Sequence, residues 1–170
     1  TALMLAARHG REHFEAMMRV LQNAGADVDA QGGRCWWTAL MFAIRNGAEH
    51  AAAMMRALIA AGADVNKQDC MKWTALMHVA QDGGERGAGM MRVLLAHPDI
   101  AVNVKDNRGR TALLLAIRNG AEHAEGMVRL LVARGATIPP DKELHSDMLA
   151  DIKAYVDGAR NWTALHRAAD

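Results

Sequence analysis

Trp37–Leu40 reads WTAL, and the same four residues return at Trp73–Leu76 and at Trp162–Leu165. A shorter TAL opens the chain at Thr1–Leu3 and recurs at Thr111–Leu113. The phrase carries its surroundings with it. Gly10, Gly47, Gly83 and Gly120 each stand nine residues after their threonine; Met17, Met54, Met90 and Met127 stand sixteen after it, with an arginine two further on. AGADV occupies Ala24–Val28 and Ala61–Val65, and RGATI takes the same place at Arg134–Ile138. The threonines are 37, 36, 37 and 52 residues apart, and ten of the twelve methionines fall on three positions of the repeat. Self-similarity of this kind marks stacked supersecondary units, each burying its apolar face against the next.

Composition fixes what such a stack is made of. Half of the 170 residues are apolar but only 4% are aromatic, so the core relies on alanine, leucine and methionine. A net charge of +1 gives no bulk attraction to nucleic acid or an anionic membrane. Arg19, Arg56, Arg92 and Arg129 interrupt the most apolar stretches, which excludes a membrane-spanning helix in the sequence pattern. The sequence shows no signal-peptide pattern, and because it starts at Thr1 rather than Met the reading leaves room for an N-terminal targeting segment that has been lost. Two cysteines, Cys35 and Cys70, make no disulfide framework and suit a reduced intracellular setting, most simply the cytoplasm, with nucleus or organelle left open.

TALMLAARHG (Thr1–Gly10), MMRALIAAGADVN (Met54–Asn66) and TALHRAA (Thr163–Ala169) resemble the ankyrin repeat, and the likeness covers the chain except Pro139–Ala159. The resemblance implies an all-α solenoid of helix-turn-helix units whose connecting loops project as β-hairpin fingers. It divides the chain into one domain of units 1–37, 38–73, 74–110 and 111–161, with an insertion at 139–159 and a half unit at 162–170. Each TAL threonine is expected to cap a helix N-terminus. Gly25 and Gly62 are expected to end the second helices at positive φ.

The departures are equally specific. The family unit is about 33 residues, whereas three additional residues follow the first glycine here, as in GREHFEAMMRVL (Gly10–Leu21). They lengthen the second helix at its start or the turn before it. In the insertion, Leu144, Met148, Ile152 and Tyr155 form one apolar helical stripe, which predicts an extra amphipathic helix. Alanine replaces the family's proline after every TAL threonine. Met4, Met41, Met77 and Leu114 replace the family's histidine, which exchanges a buried polar tie for pliable packing. Both ends cut through a unit, so the reading expects a longer chain, or ends that rest on something else.

Little in the sequence offers chemistry. His13, His50 and His123 share a repeat position, but equivalent atoms of stacked units lie ~10 Å apart. Zinc holds its nitrogen ligands at about 2 Å. These histidines read as solvated turn residues. Cys35 and Cys70 read as independent thiols, with the alternative that they face one another across adjacent hairpins. GGERGAG (Gly83–Gly89) lacks the lysine and preceding strand of a phosphate loop. The Met17–Met18, Met54–Met55 and Met90–Met91 pairs are expected in the core. The expectation is a protein without catalytic residues, cofactor or metal.

The loops differ while the helices agree. Trp37, Trp73 and Trp162 precede their threonines, with Arg110 in the remaining slot. Each indole either closes its turn against the next hairpin or anchors a partner; Trp is favoured as a binding anchor. Trp36, an extra residue with no counterpart in the other units, reads as the better binding candidate. Arg34, Lys67, Lys72, Lys105 and Arg108 make the finger tips modestly basic, with Asp69 and Asp106 set against them. The predicted partner-binding set is therefore Arg34, Trp36, Trp37, Lys67, Lys72, Trp73, Lys105, Arg108 and Arg110. The expected function is protein–protein recognition or scaffolding on a concave surface, with another protein as partner and neither nucleic acid nor membrane. The alternatives are a structural or linker subunit embedded in a large assembly, or a regulatory segment of a larger enzyme or channel.

Overall fold

The computed structural model describes residues 1–9, 13–46, 50–82, 84–118 and 124–138. The first-glycine turns at Gly10, Gly47, Gly83 and Gly120, the insertion Pro139–Ala159 and the half unit Trp162–Asp170 lie outside them. Eight α-helices are described, in four consecutive pairs: α1 (Ala2–His9) with α2 (Phe14–Asn23), α3 (Ala39–Arg45) with α4 (Ala51–Ala60), α5 (Ala75–Asp82) with α6 (Gly87–Leu95), and α7 (Ala112–Arg118) with α8 (Ala124–Ala133). The first helices pack in a row, α1 on α3 on α5 on α7, and the second helices form a parallel row, α2 on α4 on α6 on α8. This is the all-α repeat fold that the resemblance implies.

Local chemistry explains where the helices start and stop. Thr1, Thr38 and Thr111 accept the backbone N–H three residues on, at 3.3, 3.4 and 3.4 Å. Each thereby satisfies a donor that the first helical turn leaves open. At Thr74 the same role falls to the backbone carbonyl, which accepts Met77 N–H at 3.0 Å. The second helices start after His13, His50 and Arg86 without a side-chain cap. Three of them end alike. Gly25, Gly62 and Gly135 adopt φ of +75°, +89° and +87°, and the next residue's N–H reaches back five residues, as Ala26 does to the Leu21 carbonyl at 2.9 Å. That pair of features defines a glycine-terminated helix end.

The space between the rows is filled by the repeated apolar set. Met18, Met54, Met55, Met77, Met90, Met91 and Met127 are buried with Leu3, Leu40, Leu58, Leu76, Leu94 and Leu131. The methionine pairs thus face inward as expected, save Met17, which is 36% exposed. Truncating a fully buried methionine such as Met55 would cost about 2–5 kcal/mol.

A second repeated device ties unit to unit on the outside. Asp29, Asn66 and Asn103 accept the backbone N–H of Asp64, Ala101 and Thr137 at 2.9, 2.8 and 2.9 Å. The two asparagines also donate to the carbonyls of Asp99 and Gly135. An aspartate has no N–H to donate, so the first junction holds one bond fewer per rung.

Candidate recognition interface

Between each helix pair and the next, the chain reverses in a short finger. Gly32 and Trp37 exchange both backbone hydrogen bonds, at 3.1 and 3.0 Å, as an antiparallel bridge. In the second and third fingers, Asp69 N–H donates to the Trp73 carbonyl and Asp106 N–H to the Arg110 carbonyl, both at 2.9 Å. Neighbouring fingers touch through their backbones. Cys70 N–H donates to the Cys35 carbonyl at 3.0 Å and Asn107 N–H to the Met71 carbonyl at 3.2 Å.

Two buried carboxylates organise fingers two and three. Asp69 accepts the backbone N–H of Met71 and Trp73, both at 2.8 Å, the indole N–H of Trp37 at 3.2 Å and His78 Nε2 at 3.1 Å. Asp106 accepts the backbone N–H of Arg108 and Arg110 at 2.8 Å, the indole N–H of Trp73 at 3.0 Å and the Arg110 guanidinium at 2.8 Å. Burial alone would raise both carboxyl pKa values. For Asp69 the bonds from His78, Trp73 and Met71 outweigh it; for Asp106 those from Arg110 and Arg108 do. Both groups are held below the ordinary value of 3.8. His78 Nε2 lies 3.1 Å from the Asp69 carboxylate, while buried His78 Nδ1 has no hydrogen-bond partner among the described residues.

The two indoles are therefore ties between fingers. Trp37 packs edge-on against Phe42 and His78, with ring centroids 5.3 and 5.2 Å apart, and Arg45 lies 4.9 Å over its ring. Trp73 leans on the same His78 at 5.2 Å and carries Arg110 over its ring at 5.4 Å. Each spends its N–H on the next finger's aspartate. Trp37, Trp73 and Arg110, counted in sequence among partner-binding residues, are thus turned into the fold: the indoles are half-buried and Arg110 is only 7% exposed. The cause is the carboxylate four residues before the Trp73 or Arg110 slot, which gathers every donor nearby.

The remaining predicted residues stay at the surface. Arg34, Trp36, Lys72, Lys105 and Arg108 are exposed and Lys67 is half-buried. Trp36 is 62% exposed and adopts a left-handed backbone, φ +54°; Lys72 does the same at +60° and Gly109 at +74°. Trp36 therefore has structural counterparts after all. The additional residue of the first finger is taken up by Gly33, also at positive φ (+75°). Met71, 41% exposed, lies beside Lys72 in the second finger.

Sequence reasoning passed over His78 and gave Asp69 and Asp106 only a charge. The signals were present: an aspartate four residues before Trp73 and again before Arg110, and a histidine where other units have Leu5, Phe42 and Leu115. His78 also partly restores the buried polar tie that Met77, one position earlier, gives up.

Paired helices in two rows, finished by bonded fingers, define a helical repeat protein whose units stack side by side. The family profile described as ankyrin repeats (3 copies) matches residues 1–69 and 48–142, and the chain belongs to the ankyrin repeat family. No curated protein matches the chain. Ankyrin repeats are generally protein–protein interaction modules and typically non-catalytic. No helix among the described residues is long and apolar enough to cross a membrane.

Proposed function

We propose that the chain is a recognition module that holds a partner protein at its finger tips, through Trp36, Arg34, Lys72 and Arg108. One observation supports this above the others. A left-handed backbone costs an ordinary residue about 1–2 kcal/mol, and at Trp36 no burial offsets it, since the indole stands 62% exposed. Strain kept at an exposed aromatic points to use outside the fold. The indole supplies a rigid apolar anchor, flanking cations select an acidic or polar rim, and the bonded fingers reduce the ordering cost of binding. Within this reading the chain is one intracellular domain of four units and a half unit, without catalysis.

The double variant Trp36→Ala, Arg34→Ala should weaken partner binding by at least ~2 kcal/mol, the scale of an interface hot spot. Both side chains are exposed, so the melting temperature should hardly change. Titration of the partner by calorimetry reads the first and a thermal scan the second. Normal binding by this variant, with binding lost on charge reversal at exposed Arg56 of α4, would move the site to the outer helices and favour a subunit embedded in an assembly.

A further inference from the structure

The two cysteines of the chain, separated by a whole repeat, meet at adjacent finger tips. Cys70 N–H donates to the Cys35 carbonyl at 3.0 Å. Adding standard N–Cα, C=O and Cα–C geometry to that distance caps the Cα···Cα separation at roughly 6.9 Å. A disulfide needs about 4.4–6.8 Å between its Cα atoms, so even the ceiling falls at the outer edge of bridging range. Both residues are exposed and unbridged.

The approach is held by more than one bond. The Gln31 amide donates to the Trp36 carbonyl of its own finger at 2.8 Å and to the Gln68 carbonyl of the next at 2.7 Å. Trp37 ties to Asp69 at 3.2 Å, and the Asn107 amide holds the Cys70 carbonyl at 3.3 Å. The thiols sense each other as well. Partial desolvation, then a hydrogen bond with the Cys35 thiol and the charges of Cys35 and Asp69, push the Cys70 thiol above its ordinary value.

We infer that Cys35 and Cys70 form a thiol–disulfide exchange site that takes a small disulfide of the glutathione class and closes into a Cys35–Cys70 bridge. One cysteine, as thiolate, attacks the S–S bond of the small disulfide. A mixed disulfide forms and one small thiolate leaves, taking up a proton. The second cysteine gives up its proton and attacks the protein sulfur of that mixed disulfide, so the second small thiol departs. Two protein thiols are oxidised to one disulfide while one small disulfide is reduced to two thiols. Trp36 and Met71 follow the two cysteines directly, so closure fixes the spacing of the exposed apolar groups on the first two fingers. That last consequence rests on the finger-tip reading; the bridge itself does not.

The full chain, reduced and then incubated with glutathione disulfide, provides the test. After alkylation, intact-mass and peptide mass spectrometry should find a monomer lighter by two hydrogen atoms, carrying one Cys35–Cys70 linked peptide. The bridge should raise the melting midpoint by roughly 5–10 °C. Cys35→Ser and Cys70→Ser should each stop at a single glutathione adduct. Denaturation in urea should slow closure about tenfold or more, because the folded pair has the higher effective concentration. Stable double glutathione adducts, disulfide-linked dimers, or equal closure rates in urea would each overturn the inference. Loss of the bridge in Cys70→Ser with partner binding retained would leave the finger-tip reading standing. A bridge that forms normally while Trp36→Ala, Arg34→Ala binds normally would refute that reading alone.

Discussion

The first finger and the third solve one problem by opposite means. At Asp106 a buried carboxylate collects two backbone N–H groups, an indole and a guanidinium. At the corresponding place in the first finger stands Gly32, and the room a Cβ would take is filled by Met4, whose Sδ would lie 2.9 Å from it. The third finger has Gly109 at its left-handed position; the first has Trp36. Electrostatic gathering holds the one, while close apolar contact and the Gln31 amide hold the other. The contrast teaches that a repeat can keep its helices constant and still spend each finger differently.

Removing the organising carboxylate should have the largest effect. Asp106→Ala strands the buried Arg110 guanidinium and three N–H donors, and should cost about 3–5 kcal/mol in urea denaturation. Gly32→Ala at the matching place displaces only the flexible end of Met4 and should cost ~1 kcal/mol or less. Equal costs at the two sites would erase the contrast.

Exchanging the left-handed residues should give a smaller, signed result. Trp36→Gly relieves the positive φ and should stabilise the fold by ~1 kcal/mol, while Gly109→Ala should destabilise it by about as much. If Trp36→Gly instead destabilises, the indole is a packing element and its exposure has been misjudged.

The smallest effect is acid sensitivity, and its sign follows from the direction of the shifts. Asp69 and Asp106 have folded pKa values below the ordinary 3.8. Their stabilisation is complete above that value and is lost as pH falls through the lower folded values. The denaturation midpoint should therefore be insensitive to these groups near neutrality and decline only below about pH 4. Asp69→Asn with Asp106→Asn should flatten that decline. An unchanged acid limb would show that other carboxylates set it.

The helices were legible in sequence because their demands are local and repeated. Thr1, Thr38 and Thr111 cap, the GAD glycines terminate, and Met54–Met55 and Met90–Met91 fall on the buried side. The fingers were less so, because their bonds run between residues more than thirty apart, as from Trp37 to Asp69. A tryptophan in a loop reads equally as anchor or tie until its N–H acceptor is known. Trp36 shows the reverse difficulty: counting aligned residues marked it as additional, whereas backbone conformation pairs it with Lys72 and Gly109. The inserted stripe of Leu144, Met148, Ile152 and Tyr155 lies outside the described residues and stays an expectation.

The methionines between the helix rows bear on how the stack deforms. Each has three rotatable bonds and no branch, so it can follow a small shift of its neighbours by changing rotamer. Met54, Met55, Met90, Met91 and Met127 place such side chains at successive junctions. A change in superhelical curvature can thus be shared among several junctions, without opening a void at any one of them. A thioether layer of this kind would let the fingers keep their shape while the arc on which they stand widens or tightens.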